Sequence, residues 1–268
     1  MDKLDNKFRA DPYNTNNVLI TESNIINIMK DLNINDFKIN KLDYYKIAFV
    51  HKSYCKLTEY GNYKYPGNGC LELQEKSYET MEFLGDAILG SIITSYVYER
   101  FHEIYKENEG FLTKLKIRIV CGENLAALSK DIKLNNFIIL SKHIEDNCCG
   151  RNNSNILEDV LEALIGAIYL DKGYKMTETF VIRLIEKYCD FTDIILKDTN
   201  YKDQISRYFQ QNFNIYPKYE TIKNEKDNTF DSKLYNDNKI ISIGKGITKK
   251  KAEQDASRNG LIKYNVIT

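Results

Sequence analysis

The sequence predicts an all-α domain followed by a small α+β module of order α-β-β-β-α, and three observations carry that prediction. Helical apolar spacing dominates from Tyr78 to Leu196, period-two runs gather after Asp198, and the charge balance changes sign at the same place. Residues 199–268 hold 13 Lys/Arg against 8 Asp/Glu, whereas the rest of the chain holds 25 against 30. A net charge of zero thus divides into an acidic body and a basic tail. Such a division suits a metal-using domain carrying a polyanion-binding appendage.

Along the chain, residues 1–20 lack periodicity and are rich in Asn and Asp, so a flexible or loosely packed arm is expected. Ile25, Ile26, Ile28, Met29 and Leu32 recur near helical spacing and predict a helix over 22–32. From that apolar face, residues 1–40 are expected to form an extension that packs against a partner subunit. Gly61, Pro66, Gly67 and Gly69 make 54–76 a long loop. Helices are expected over Met81–Phe101, Gly110–Ile119, Leu125–Asp131, Ile156–Leu170 and Met176–Tyr188, within a domain spanning 41–192. A linker is expected over 193–199. The module at 200–268 should comprise a helix over Lys202–Asn212, strands over Tyr216–Lys223, Thr229–Tyr235 and Lys239–Lys245, and a helix over Thr248–Tyr264. Three antiparallel strands with both helices on one face would close it.

Several classes are disfavoured. No apolar run approaches the roughly 18 residues of a membrane span, and an N-terminus carrying Asp2, Asp5 and Asp11 does not read as a secretory signal. A soluble, intracellular, cytoplasmic protein without a membrane partner is expected. Cys55, Cys70, Cys121, Cys148, Cys149 and Cys189 form no C-x-x-C pair, so free buried thiols are expected in place of a zinc site or disulfide framework.

The chemistry concentrates in two apolar helices. Glu82 and Asp86 are the only charged residues between Thr80 and Tyr98 and share a face at i and i+4. Asp159 and Glu162 share a face at i and i+3, ahead of the uncharged run Ala163–Leu170. Burying ionised carboxylates costs several kcal/mol apiece unless lost hydration is replaced. Neither segment contains Lys or Arg, so the compensation is a basic partner from elsewhere in the fold, exposure as a polar stripe, or a cation. Four oxygen donors without His or Cys suit Mg²⁺ or Mn²⁺. The spacing by itself leaves the polar stripe and the metal site both open.

At these residues the chain resembles a known family. Tyr78–Leu89 (YETMEFLGDAIL) closely resembles the signature of ribonuclease III, and Glu158–Gly173 (EDVLEALIGAIYLDKG) resembles its second acidic motif. Ile47–Tyr54 (IAFVHKSY) resembles the first helical motif, and Glu109–Ala126 the helix pair between the acidic motifs. The resemblance implies a metal-dependent endoribonuclease in which Glu82, Asp86, Asp159 and Glu162 bind Mg²⁺, with Mn²⁺ a possible substitute, and catalyse hydrolysis. It also implies a homodimer making staggered cuts in double-stranded RNA, leaving 5′-phosphate and 3′-hydroxyl ends. Glu79 matches a position near the dimer seam, with a structural or RNA-facing role, and Phe83 and Leu84 match dimer or core contacts. The alternative is a non-catalytic binder that sequesters duplex RNA, against which all four acidic positions are filled. His51 is read as a packed, hydrogen-bonded histidine, and Gly85, Gly90 and Gly166 as sites of close helix approach.

The tail resembles a double-stranded-RNA-binding domain, in Tyr201–Gln210, Tyr216–Tyr219 and Gly244–Ala256. This resemblance implies RNA contacts from Lys202, Lys226, Thr248, Lys249, Lys250 and Lys251, the last four at a helix start where lysines and amides can together grip phosphate. Ser206 and Arg207 replace a Gln-Glu type pair, and Lys226 replaces a common His. Shape-directed, salt-dependent binding with little sequence preference is expected.

Overall fold

The computed structural model describes residues 11–67, 69–196, 200–225 and 227–267. They form two compact units, Met1–Ile194 and Ile195–Thr268.

In the first unit residues 11–20 are docked on the body, where the sequence predicted a flexible or loosely packed arm. Asn14 and Asn17 are buried, and both side chains donate to the Leu140 carbonyl, at 3.1 and 3.0 Å. Arg151 adds bonds to the Asn16 carbonyl and Asn17 Oδ1 at 3.1 and 3.0 Å. These bonds replace the water that polar side chains would otherwise hold. Residues 1–10 lie outside the described residues. Helix α1, Glu22–Asp31, starts at a capping box in which Thr21 and Asn24 exchange bonds. Its Ile25, Ile28 and Met29, with Leu32, are buried within the unit itself. The apolar face expected to meet a partner subunit is therefore already covered.

Helix α2, Leu42–Ile47, ends where the resemblance implied a helical motif. Residues 48–54 instead make a parallel bridge from Val50 to Ile139 and a 3₁₀ turn over Lys52–Tyr54 capped by His51. The long loop follows, with a short turn at Thr58–Tyr60 and a bridge from Cys55 to Gln74. Next come α3 (Glu79–Val97), running into a π-helical segment over Tyr98–Glu103, α4 (Glu109–Ile119), α5 (Gly122–Asp131) and α6 (Lys142–Asn147). Helices α7 (Ser154–Lys172), α8 (Tyr174–Tyr188) and α9 (Phe191–Leu196) complete the unit. Helix α9 occupies the first part of the expected linker, because Phe191 packs on Tyr96, Phe101 and Arg100. Residues 197–199 of that linker lie outside the described residues.

Helix α7 is the central element: from Ile156 to Ile168 only Glu158 and Asp159 keep partial exposure. Helix α3 crosses it at two glycines. A Cβ on Gly85 would lie 1.8 Å from the Glu162 carbonyl oxygen, and one on Gly166 would lie 2.4 Å from that of Met81. No side chain fits at either point. Gly90, also expected at a close approach, has open space around its Cβ position. The six cysteines are free, but none is buried: Cys121, Cys148 and Cys149 are exposed and the others half-buried.

The second unit comprises α10 (Tyr201–Phe213), β1 (Lys218–Asn224), β2 (Thr229–Asn236), β3 (Lys239–Gly246) and α11 (Lys249–Lys263). The antiparallel sheet runs β1-β2-β3, with a register shift at Leu234/Tyr235. Its core gathers Ile205, Phe209, Leu234, Ile241, Ala256 and Leu261. A Cβ on Gly244 would fall 2.0 Å from the Ala256 amide nitrogen, so glycine lets α11 lie directly on β3.

Candidate active site and nucleic-acid interface

The crossing of α3 and α7 brings both acidic motifs together. Glu162 sits at the crossing itself, since its own carbonyl meets Gly85, and its side chain is buried at 8% exposure. Glu82 and Asp159 are half-buried, while Asp86 is exposed on an open strip of α3 with Glu79 and Phe83. The quartet thus grades from interior to surface, which the apolar helix sequences did not indicate.

The carboxylates press on one another. Burial, then the charges of Asp86, Glu158, Glu82 and Asp159, push the Glu162 carboxyl up to about 8. Burial followed by Asp159 and Glu79 raises Glu82. Burial also raises Asp159, against the opposing effects of a hydrogen bond from Tyr78 and the charge of Lys52. The Tyr78 hydroxyl, on a nearly fully buried side chain, donates to Asp159 Oδ2 at 2.9 Å.

Three participants were given no role in the sequence reading. Glu158 is a fifth carboxylate: its Oε2 lies 2.2 Å from the Cβ position of Gly122, beside the start of α5, and its charge bears on Glu162. Its adjacency to Asp159 was the available signal. Tyr78 and Lys52 act across the fold: both stand inside the quoted motifs, but nothing local indicated their partners. Lys52 Nζ lies 3.0 Å from Glu79 Oε1 and holds that carboxyl below its usual range, with Ser77 Oγ donating to Glu79 Oε2 at 3.2 Å. Part of the missing compensation is therefore a basic residue from elsewhere in the fold. His51 is packed as expected, on the Tyr78 ring at 5.8 Å, with Nδ1 accepting from the Ser53 amide at 3.2 Å, and burial lowers its pKa to about 4. Phe83 is 80% exposed and Leu84 half-buried.

The donor set fits a hard divalent cation in its chemistry: all oxygen, contributed by two helices locked at glycines, with excess negative charge in a partly dry place. Among the described residues, no three His, Cys, Asp or Glu side chains are gathered tightly enough to hold an ion as they stand. Also among them, no helix is long and apolar enough to cross a membrane.

In the second unit, Thr248 caps α11 by accepting from the Lys251 amide at 3.2 Å, and Lys249, Lys250 and Lys251 are exposed around that helix start. Lys202 is engaged internally: its Nζ lies 2.7 Å from Glu253 Oε2 and 4.8 Å from the Tyr219 ring centroid. Lys226 lies outside the described residues.

Comparison with known proteins agrees with this division. Residues 43–188 match the family described as ribonuclease-III-like, and residues 201–264 match the double-stranded RNA binding motif. A probable ribonuclease 3 of Acanthamoeba polyphaga mimivirus is 46% identical over 203 residues, covering 73% of this chain but only 36% of that protein. Ribonuclease 3 of Zunongwangia profunda is 36% identical over 226 residues, covering 83% of this chain and 84% of the relative. A solved nuclease domain of ribonuclease III from Campylobacter jejuni, noted for flexibility in a region involved in dimer formation, is 30% identical at a TM-score of 0.49, covering 62% of this chain and 98% of that one. With a family match over most of its first unit and an RNA-binding motif over most of its second, the chain belongs to the ribonuclease III family.

Proposed function

We propose that this chain is a divalent-metal-dependent endoribonuclease that binds double-stranded RNA and hydrolyses both strands. The observation that carries the reading is the α3–α7 crossing, where two glycines bring Glu82, Asp86, Asp159 and Glu162 into one mutually repelling group. Those four residues would hold Mg²⁺, or Mn²⁺ in its place. Bound there, the ion supplies Lewis-acid activation of water and neutralises phosphate charge.

The chain's own residues set the conditions. Tyr78 fixes Oδ2 of Asp159 and with it the orientation of the carboxylate. Glu162 is buried where α3 crosses α7, away from water, while the neighbouring Asp86 is exposed and open to a phosphodiester backbone. Lys249, Lys250 and Lys251 at the α11 N-terminus supply phosphate contacts that recognise duplex shape.

One nuclease domain provides one carboxylate group, so cutting two strands calls for two copies. The exposed Phe83 ring beside Asp86, at a position that resembles a dimer contact of the family, is the surface that the second copy would cover. Staggered ends with 5′-phosphate and 3′-hydroxyl groups, and action in the cytoplasm, complete the proposal. Its test is to incubate long duplex RNA with the protein in Mg²⁺ or EDTA, beside Asp86→Asn and Glu162→Gln. Metal-dependent short products, lost in both variants, are expected. Intact, protected RNA under all conditions would overturn the enzyme in favour of a binder.

A further inference from the structure

We infer that Lys52 is a positioning residue of the cleavage site: a built-in counter-charge that competes with the divalent cation for the carboxylates and so sets the metal concentration the enzyme requires. The inference rests on the metal-dependent reading above.

The placement of Lys52 is fixed on three sides. Its turn is tied down by the His51 amide donating to the Ile139 carbonyl at 2.9 Å and by the Tyr54 amide donating to the His51 carbonyl at 2.9 Å. The Tyr78 amide donates to the Val50 carbonyl at 2.9 Å, which locks this segment to the residue before α3. The neighbouring His51 ring packs on Tyr78, the residue that holds Asp159. From this base the side chain reaches outward, 66% exposed, and its ammonium rests 3.0 Å from Glu79 Oε1.

Its charge is also attracted to Asp159 on α7 and to Glu82 on α3, so it bears on both acidic motifs as well as on its direct partner. A surface ion pair of this kind adds little stability. The consequence lies in the field instead. A fixed positive charge beside a cluster of carboxylates partly neutralises it, and that neutralisation opposes the arrival of a second cation. Removing Lys52 should therefore tighten metal binding. A purely structural role would instead give weaker or unchanged binding on removal, so the sign separates the two roles.

The test is Mn²⁺ binding to the full-length, RNA-free protein by isothermal titration calorimetry at low ionic strength, for wild type, Lys52→Met, Lys52→Arg and Lys56→Met. Lys56 pairs with Glu75 on the surface and controls for the removal of one lysine. Expected are a Kd about fivefold lower for Lys52→Met, near-wild-type values for Lys52→Arg and Lys56→Met, and unchanged melting temperatures. If wild type binds Mn²⁺ and Lys52→Met binds it no more tightly, the inference about Lys52 is wrong while the metal reading stands. If wild type binds no Mn²⁺ at all, the metal reading fails and takes this inference with it.

Discussion

The Tyr78 hydroxyl donates to Asp159 Oδ2 at 2.9 Å, linking the residue just before α3 to the acidic turn of α7 across 81 positions of sequence. Tyr78→Phe keeps the ring and the backbone bond to Val50 but leaves one Asp159 oxygen without its donor. A loss of about 1–2 kcal/mol in stability is expected, with cleavage reduced roughly 10- to 100-fold, as for removal of other ligand-orienting partners. Urea melts and single-turnover cleavage measure the two effects. Cleavage equal to wild type would show that this bond does not orient the site.

Stability should also depend on pH through Glu162. Its carboxyl is pushed up to about 8 in the folded chain from an ordinary value of 4.5, so folding favours the protonated form. The stabilisation is fully present below the unfolded value and is lost as pH rises through the folded one. The metal-free protein should therefore melt at progressively lower temperature between about pH 5 and pH 8.5, with an upper bound of roughly 5 kcal/mol. Glu162→Gln should flatten this slope, and Mg²⁺ should raise the melting temperature more at about pH 8 than at about pH 5.5. Differential scanning calorimetry in EDTA and in Mg²⁺ decides it; a slope identical in the variant would assign the pH dependence elsewhere.

The helix crossing makes a prediction about three glycines. Gly85→Ala and Gly166→Ala each force a methyl group onto a backbone carbonyl, so a loss of about 1–3 kcal/mol or more is expected, with cleavage falling in step. Gly90→Ala meets open space and should be stabilising by up to about 1 kcal/mol, from helix propensity alone. Thermal melts followed by circular dichroism give the order. Equal tolerance at all three positions would be incompatible with the close approach.

The lysines of the tail should separate into two kinds. Replacing Lys249, Lys250 and Lys251 together by Gln should weaken binding uniformly across duplex sequences and lower the salt slope by about 1 for each phosphate no longer neutralised. Lys202→Gln breaks an internal pair with Glu253 and removes the ammonium from the Tyr219 ring, so its larger effect should be on stability. Fluorescence anisotropy at several salt concentrations distinguishes them. A Lys202 effect on the salt slope as large as that of the triple variant would show that it leaves Glu253 to grip phosphate.

For the homodimer the exposed ring is the handle. Phe83→Asp should shift sedimentation equilibrium toward monomer by about tenfold or more in Kd, at about 1.4 kcal/mol per decade, with little change in the monomer's far-ultraviolet dichroism. An unchanged dimer would place the seam elsewhere.

The acidic motifs were legible in the sequence because their signal is local: two carboxylate pairs at helical spacing in segments without Lys or Arg, and a family signature over the same residues. The α-β-β-β-α order and the lysines after Gly244 and Gly246 were legible for the same reason, since strand alternation and helix starts are set within a few residues. Only the tertiary structure decided how the four carboxylates divide between interior and surface. Burial depends on which face of α3 meets α7, and it left Glu162 covered and Asp86 open. The same holds for Tyr78 and Lys52, whose partners lie 81 and 27 positions away. The N-terminal segment shows the limit most plainly: Asn14 and Asn17 read as loop residues, yet they are buried against the Leu140 carbonyl 126 and 123 positions later. A polar side chain carries no mark of whether water or a distant backbone will satisfy it, and that choice is made when the chain closes on itself.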